Sequence, residues 1–173
     1  MKELLLDRIG SPLGEILLVV DEGRLCALEF ADGDGRALRA LERRYGQVAL
    51  VPAVNPCGFG DRLRAYFAGD LACLDAIPVS TGGTPFQREV WEALRRIPPG
   101  ETRAYGALAA QLGRPAAQRA VGAANGQNPV SIVVPCHRLV GADASLVRYG
   151  GGLRRKEWLL RHEGALPAAR RAG

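Results

Sequence analysis

The apolar positions at the start of the chain come in short runs that predict β-strands. Residues 15–20 form a nearly continuous apolar run, residues 21–23 (Asp-Glu-Gly) have the chemistry of a turn, and residues 24–30 resume an extended pattern. Runs of this length around a short glycine-containing turn are typical of a hairpin. The sequence therefore predicts a β-hairpin in the N-terminal region.

The next stretch changes from strand to helix periodicity. Residues 38–45 place Leu, Leu and Tyr at helical spacing among Arg and Glu residues, which predicts a helix. We expect a loop around Pro52 and Pro56 and then a short helix over residues 63–67, which Gly69 is suited to end. This half is predicted to be a small α/β domain, and it shows no constellation of catalytic residues.

A linker of small residues, 80–83 (Ser-Thr-Gly-Gly), separates this half from the next. Thr84 is placed to cap a helix, Pro85 suits the first helical position, and Gln87 stands where a capping box requires it. A new domain is predicted to start here. We expect an N-terminal domain over residues 1–80, a C-terminal domain over residues 84–164 and a flexible tail over residues 165–173.

Two short helices in the second half form a candidate helix-turn-helix. They are predicted over residues 105–113 and 116–125, with Arg114 and Pro115 between them. The second helix is mostly alanine, and small side chains suit a close approach to the minor groove, where little sequence information can be read. An ordinary alanine-rich packing helix is the alternative that this segment leaves open.

The two halves of the chain differ in the sign of their charge. Residues 1–83 carry 9 Lys/Arg and 12 Asp/Glu, a net charge of −3, whereas residues 84–173 carry 14 Lys/Arg and 6 Asp/Glu, a net charge of +8. A basic half attached to an acidic one favours a polyanionic partner such as nucleic acid. A solvated basic surface without a partner is the alternative.

The cysteine pattern argues against a metal site and against disulfides. The 4 cysteines show no CxxC pairing, and the 2 histidines are far in sequence from three of them. Reduced thiols in a cytosol fit this pattern better than structural zinc. No apolar run approaches the ~20 residues that a membrane span needs, and no signal-peptide pattern is present. We expect a cytoplasmic protein with no bound metal and no membrane contact.

One cysteine has polar neighbours, in the sequence Pro135-Cys136-His137-Arg138. The preceding apolar run, residues 132–134, predicts a buried strand that the proline ends. Cationic or hydrogen-bonding neighbours lower the pKa of a thiol, and only the thiolate is a strong nucleophile, so Cys136 is a candidate nucleophile. A buried structural cysteine is the alternative, and His137 need not contact it, because adjacent residues of an extended segment point to opposite sides.

Two further features follow the cysteine. Residues 149–152 (Tyr-Gly-Gly-Gly) offer main-chain groups that can wrap a ligand, although glycine runs are more commonly plain loops. A helix is predicted over residues 154–162, with Glu157 and Arg161 paired one turn apart. Glu163, at the end of this helix, is either a carboxylate that orients a histidine or an isolated surface glutamate.

The chain resembles the O6-alkylguanine-DNA alkyltransferases at residues 128–138 (Asn-Pro-Val-Ser-Ile-Val-Val-Pro-Cys-His-Arg), 149–152 and 156–164. The likeness includes residues 84–87 and 119–125, extends over nearly the whole chain and is greatest to the constitutive bacterial form. It implies an α/β N-terminal domain that is ribonuclease H-like, with a small antiparallel sheet and helices. It also implies a mostly α C-terminal domain with a winged helix-turn-helix.

The resemblance implies a role for each matching residue. Cys136 would attack the alkyl carbon on guanine O6, with His137 acting through a water as its base and Glu163 orienting that histidine. Asn128 would hold the turn that bears the cysteine. Tyr105 would crowd the phosphate and help to protonate guanine N3.

Further residues are implied on the surfaces that meet the DNA and the flipped base. Arg119 would fill the base stack after the damaged nucleotide is extruded. The other residues expected to bind DNA are Tyr105, Ala117, Gln118, Ala120 and Asn125. The residues expected to border the base pocket are Ser131, Leu139, Arg148, Tyr149 and Gly150.

The reaction implied by the resemblance is a single-turnover repair. An alkylated base is flipped out of double-stranded DNA, and a mispaired base costs less to extrude than a sound one. The alkyl group then passes irreversibly to the cysteine, so the protein is consumed and no cofactor is needed. We expect a monomer that approaches DNA through the minor groove. Repair of O4-alkylthymine and cooperative binding along DNA are left open.

One segment departs from the family. Val147 and Arg148 stand before Tyr149, where relatives usually have small residues. A charged side chain at the rim of the pocket either restricts larger alkyl groups or adds a phosphate contact, so the substrate range is left open. Residues 1–83 contain no histidine, so the zinc site of some relatives is not expected.

Two other functional classes compete with this one. A cysteine hydrolase would use the same Cys-His-Glu chemistry, but it would turn over and would need neither Arg119 nor a helix-turn-helix. A DNA-binding regulator would leave Cys136 unexplained and would carry base-reading side chains on its second helix. Both explain less of the sequence than the alkyltransferase does.

Overall fold

The computed structural model describes residues 1–167. None of the helices within this range is long and apolar enough to cross a membrane. The flexible tail expected over residues 165–173 falls mostly beyond it, since residues 168–173 lie outside the described residues.

Four strands form the N-terminal sheet: β1 (Lys2–Ile9), β2 (Ile16–Asp21), β3 (Arg24–Phe30) and β4 (Val48–Pro52). Their order across the sheet is β3-β2-β1-β4. The predicted hairpin is confirmed as β2 and β3, which pair antiparallel. β1 pairs antiparallel with β2 and parallel with β4, so one parallel pair is added to the antiparallel sheet that was expected.

The loop predicted around Pro52 is in part a strand, and that prediction was wrong. β4 is an edge strand that ends at Pro52. A proline cannot donate to a strand ladder, but it is tolerated on an edge strand. The backbone of β4 is held in a strand by pairing with β1, more than forty residues away in the chain. The local pattern of apolar and polar residues gives no information on such a distant contact.

Two helices cover the faces of this sheet, α1 (Arg36–Tyr45) and α2 (Phe59–Phe67). Both lie where helical periodicity predicted them. Helix α1 packs on one face and closes a small apolar cluster with it. The buried members of that cluster are Leu4, Val19, Cys26, Ala27, Ala37 and Leu41. The opposite face belongs to a larger core that continues into the second half of the chain.

The C-terminal half contains four helices: α3 (Pro85–Arg95), α4 (Tyr105–Gln111), α5 (Gln118–Gly126) and α6 (Leu153–His162). Two short strands, β5 (Arg103–Ala104) and β6 (Leu139–Val140), form a parallel pair beside them. Helices α4 and α5 are the predicted helix-turn-helix. Helix α3 packs against α5, and α6 packs against the turn that contains Cys136.

The start of α3 has the cap that its sequence predicts. The Thr84 hydroxyl accepts a hydrogen bond from the Gln87 amide at 3.1 Å, and the Gln87 side chain accepts one from the Thr84 amide at 2.9 Å. Both bonds satisfy backbone donors that a helix start leaves unpaired. The capping-box prediction is confirmed, so the helix is fixed at the residue where the second half begins.

Residues 132–134 do not form the buried strand that their apolar side chains suggest. Ile132 has φ +70°, a left-handed conformation that is costly for a β-branched residue, and the Val133 amide bonds to the Ser131 carbonyl at 2.8 Å in a three-residue turn. Only Val130 makes an isolated bridge, to Leu28 of β3. The run is apolar because it is buried between the two halves, not because it is extended.

The two halves are joined by this bridge and by polar contacts. The Leu28 amide donates to the Pro129 carbonyl and the Ser131 amide donates to the Leu28 carbonyl, each at 3.0 Å. Arg155 of α6 reaches back to Asp32 at 2.8 Å and lies 4.1 Å over the Phe30 ring. The segment that carries the cysteine is therefore supported by the sheet of the first half.

Candidate active site and DNA-binding surface

Cys136 opens into a cavity of about 820 Å³ between the helix-turn-helix and the loop that follows the cysteine. The thiol residue begins a turn of 3-10 helix, Cys136–Arg138, directly after Pro135. It is only 6% exposed, so the cavity is its route to solvent. The site thus presents one buried thiol at the wall of a space large enough for a purine base.

Two asparagine side chains fix the path of the chain on either side of the thiol. Asn128 donates to the Val134 carbonyl at 2.8 Å and accepts from the Val130 amide at 2.9 Å, so it spans the turn from inside. Asn125 donates to the Cys136 carbonyl at 3.3 Å. This backbone is not part of a strand, so it lacks the hydrogen bonds of a β-ladder. The two buried side-chain amides bond to its main-chain groups instead and hold it in one conformation.

Behind the cysteine lies a buried ionic cluster. The Nε2 atom of His137 is 2.5 Å from Oε1 of Glu163. Arg138 donates to the same carboxylate through Nε at 3.0 Å and Nη2 at 2.9 Å, and to the Ile97 carbonyl at 2.6 Å. The carboxylate thus holds both residues that follow the cysteine, and the isolated surface glutamate considered from the sequence is excluded.

The cluster sets the charge states of its members. Burial raises the pKa of Glu163, but the contacts with His137 and Arg138 outweigh burial, and the net shift is downward. Burial lowers the pKa of His137 and the neighbouring carboxylate offsets this only in part. A neutral imidazole beside an ionised carboxylate follows. With Nε2 bonded to Glu163, the Nδ1 atom of His137 is buried without a protein partner among the described residues.

The Cys136 thiol differs from its sequence prediction in one respect. The cationic neighbours were expected to lower its pKa toward neutrality, but burial raises it, while hydrogen bonding by Asn128 and the charge of Lys156 oppose burial only in part. The prediction of a lowered pKa was therefore wrong, because the removal of water from the thiol has the larger effect. A thiol of this kind needs a base at the moment of reaction.

Two tyrosines line the cavity and remain protonated. Burial and the nearby thiol raise the pKa of Tyr105, and burial raises the pKa of Tyr149 well above its ordinary value. The Tyr149 hydroxyl is buried without a partner among residues 1–167. Both side chains are therefore hydrogen-bond donors at the cavity.

Helix α5 presents two polar side chains of its first turn to solvent. Gln118 and Arg119 are exposed and both line the cavity, whereas Val121 and Ala124 face the core. The indole of Trp91 donates to the Ala124 carbonyl at 2.8 Å and so holds the helix against α3. In the part of the chain that the structure describes, the helix-turn-helix is a firmly seated element with an exposed arginine at the cavity mouth.

The structure brings most of the sequence-predicted site residues to one place. The predicted residues that line the cavity are Tyr105, Gln118, Arg119, Asn125, Asn128, Ser131, Cys136, Arg148, Tyr149 and Gly150. His137 and Glu163 lie buried behind the thiol, and Ala117 and Ala120 lie on the helix-turn-helix outside the cavity lining. Leu139 is fully buried in the core, so its side chain does not border the pocket as expected.

Three site residues were not assigned from the sequence. Arg36 comes from α1 in the first half and lines the cavity, which no local pattern indicates. Arg138 was noted beside the cysteine, but its bond to Glu163 depends on the fold. Lys156 is fully buried and contacts the loop on the far side of the cavity. Only Arg138 carried a signal, as a charged residue next to an apolar run.

No group of three or more His, Cys, Asp and Glu side chains that could hold a metal ion occurs within residues 1–167. The described cysteines Cys26, Cys57, Cys73 and Cys136 are all free thiols. The functional chemistry of the described residues therefore rests on the thiol, the buried His-Glu-Arg cluster and the groups that line the cavity.

Comparison with known families places both halves of the chain. The model described as 6-O-methylguanine DNA methyltransferase, ribonuclease-like domain, matches residues 7–81. The model described as 6-O-methylguanine DNA methyltransferase, DNA binding domain, matches residues 85–165. Together these matches account for most of the chain.

Relatives of known name and structure agree. The methylated-DNA-protein-cysteine methyltransferase of Shigella flexneri is 53% identical over 169 residues, covering 96% of this chain and 99% of the relative. The protein of the same name from Mycobacterium tuberculosis is 50% identical over 161 residues, covering 90% of this chain and 89% of the relative. The crystal structure of M. tuberculosis OGT in complex with DNA has a TM-score of 0.79 at 40% identity, covering 96% of each chain. The predicted fold class is confirmed.

Proposed function

The chain belongs to the 6-O-methylguanine DNA methyltransferase family, and on this premise we propose that Cys136 is the acceptor of the alkyl group. The protein is a DNA repair protein that transfers alkyl groups from alkylated DNA to its own cysteine. The observation that supports Cys136 is its position: it is the one cysteine of the described residues that lines a base-sized cavity with a buried His-Glu pair behind it.

The residues around the thiol have complementary roles in the transfer. The neutral His137 takes the thiol proton through a water at its Nδ1 atom, while Glu163 stabilises the imidazolium that forms. The thiolate attacks the alkyl carbon, a C–S bond forms, and the bond from that carbon to guanine O6 breaks. Tyr105 supplies a proton or hydrogen bond to the departing guanine at N3, which lowers the barrier.

The DNA is bound by the helix-turn-helix through the minor groove. The exposed face of α5 is mostly small, so the helix can approach a narrow groove closely, and the degenerate hydrogen-bonding pattern there suits a protein that repairs lesions in any sequence. Arg119 enters the stack in place of the flipped nucleotide. The base is read in the cavity, between Tyr149 and the main chain of Gly150.

Arg148 contacts a DNA phosphate at the cavity rim. Its side chain is exposed and makes no ion pair with another described residue. An exposed guanidinium at the mouth of a DNA-binding cavity is better suited to a phosphate than to filling an apolar pocket. The protein acts as a monomer in the cytoplasm, and these two statements stay predictions from the sequence.

The test is intact-protein mass spectrometry after mixing with a duplex that contains one O6-methylguanine. We expect a gain of one methyl group, which peptide mapping places on Cys136, with no further gain when the duplex is in excess. Cys136→Ser should lose transfer and keep duplex binding, while Cys57→Ser, at an exposed thiol, should behave as the native protein. Release of free methanol with continued turnover would indicate a hydrolase instead.

A further inference from the structure

Lys156 of α6 is a buried cation with no carboxylate to neutralise it. Its side chain is fully buried, and within residues 1–167 it makes no ion pair with any Asp or Glu. A buried ammonium without a counter-ion is costly, so its hydrogen bonds must compensate for the lost water. The repair chemistry described above does not use it.

The hydrogen bonds of Lys156 all go to main-chain carbonyls around the cavity. Its Nζ donates to Leu139 at 2.5 Å, to Val147 at 2.8 Å and to Arg148 at 3.4 Å. Leu139 follows the turn that carries the thiol, whereas Val147 and Arg148 belong to the facing loop. One ammonium group therefore joins the two sides of the cavity.

The facing loop has little else to hold it in place. Residues 146–148 donate no main-chain hydrogen bond among the described contacts, and Arg148 has φ +34°, outside the common regions for a non-glycine residue. Without the lysine, the carbonyls of Val147 and Arg148 would have no protein partner in the described structure. Lys156 therefore supplies the described hydrogen bonds to the main chain of Val147 and Arg148.

We propose that Lys156 is a positioning residue for the base pocket: it ties Val147 and Arg148 to the end of the Cys136 turn and thereby sets the distance between the thiol and the wall against which the base lies. The proposal rests on the proposed function. A base held against a displaced wall presents its alkyl carbon off the line of attack, and such a displacement costs up to about a hundredfold in rate.

Charge offers a second way in which Lys156 can affect the reaction. The ionisable groups facing it are Cys136 and His137 on the turn, and its charge lowers the pKa of both. Burial in turn lowers the pKa of Lys156 to about 8, with the thiol opposing this shift. A test of positioning must therefore separate the geometry of the base pocket from the reactivity of the thiol.

The experiment compares two alkylations of Cys136 in the full chain. Free O6-benzylguanine needs the base pocket but no DNA, and iodoacetamide needs only the thiolate; both are followed on the Cys136 peptide by mass spectrometry. Lys156→Met keeps the length of the side chain without the donors. We expect it to lose between about tenfold and a hundredfold with O6-benzylguanine, and less than about threefold with iodoacetamide.

The matched control is Arg154→Met, which removes an exposed cation from the same helix. Both rates should stay within about twofold of the native rates, because surface charges are weakly coupled to distant sites. Equal losses with both reagents in Lys156→Met would overturn positioning and indicate a purely electrostatic role. No loss of rate with either reagent would overturn both the positioning role and the electrostatic role of Lys156. Failure of the native protein to react with alkylated DNA would overturn the proposed function itself.

The native protein supplies a second measurement that needs no variant. Both reactions need the Cys136 thiolate, so the ratio of their rates does not change as the thiol titrates. The pKa of Tyr105 is raised by burial, so this side chain stays protonated between pH 6.5 and pH 9.5. Lys156 is protonated below its pKa, so the ratio should be constant at lower pH and fall as the pH rises through about 8. If Lys156→Met does not fold, Lys156→Arg, which keeps the charge but changes the reach of the donors, should still lower the rate with O6-benzylguanine relative to the rate with iodoacetamide. An unchanged ratio of the two rates in that variant would contradict the proposal.

Discussion

The two sides of the cavity are stabilised in opposite ways. The buried side, residues 128–138 with Glu163, is held by side-chain amides and a buried ionic cluster of three residues. The DNA-facing side, α5 and residues 145–151, consists of exposed side chains and a loop with few main-chain bonds. The candidate nucleophile is thus fixed by buried contacts, whereas the surface that meets DNA presents exposed groups from the seated helix α5 and from a loop.

Loss of the buried carboxylate should have the largest effect. Glu163→Gln leaves Arg138 buried without a counter-ion and removes the group that stabilises the His137 imidazolium. We expect a rate loss of about ten- to a hundredfold with O6-benzylguanine and a loss of about 3 kcal/mol in the free energy of unfolding. Stopped-flow kinetics and urea denaturation measure the two effects separately.

The control for this variant is Glu157→Gln on the same helix, where the carboxylate pairs with Arg161 at a half-exposed site. It should change the unfolding free energy by less than about 0.5 kcal/mol. The pH dependence gives a further check. The pKa of Glu163 is depressed from 4.5, so its stabilisation is present above that pH and is lost as the pH falls further. Glu163→Gln should lose less stability than the native protein over the same acid range.

The buried side also shows where sequence-based prediction ends. The order Pro-Cys-His-Arg indicated the candidate nucleophile, but the backbone that carries it was predicted as a strand and is a sequence of tight turns. Apolar residues are required in both cases, because both are buried, so hydrophobicity cannot distinguish them. The conformation is decided by Asn128, whose amide bonds to Val130 and Val134, and by the bridge to Leu28 from the other half.

The DNA-facing side was more predictable, because its elements are local. The capping box of α3 and the Gly-containing turn between α4 and α5 follow from residues close in sequence. What local pattern could not supply is the contribution of Arg36, which reaches the cavity from α1 of the first half. Contacts of this kind depend on how the halves pack, and single-sequence periodicity contains no information on that packing.

An intermediate effect is expected at the DNA-facing side, and only when DNA is present. Arg119→Ala should slow repair of duplex DNA by roughly tenfold or more, in line with about 1–3 kcal/mol for an arginine at a nucleic-acid contact. The rate with free O6-benzylguanine should stay within about twofold, since the side chain is exposed and makes no bond to the buried side. The ratio of the two rates is the measurement.

The control for Arg119→Ala is Arg96→Ala, which removes an exposed arginine of the same half. It should leave the ratio of duplex to free-base rates near its native value. If Arg119→Ala slowed both substrates equally, the arginine would act on the chemistry, and the division between a buried reaction site and a DNA-facing surface would not hold.

The smallest effect is expected at Arg148, whose exposed side chain lines the cavity. If this arginine contacts a phosphate, Arg148→Gly should reduce the slope of log affinity for duplex against log salt by about 1 and leave the rates with free bases unchanged. Arg24→Ala, at an exposed position in the acidic half, should not change the slope. The slope could instead stay unchanged while the variant, relative to the native protein, gains more rate with O6-benzylguanine than with O6-methylguanine. That result would show that the Arg148 side chain obstructs large alkyl groups. Glycine tolerates the positive φ that Arg148 adopts, so the variant removes the side chain without straining the backbone. Either result therefore reports on the role of the arginine side chain in this loop.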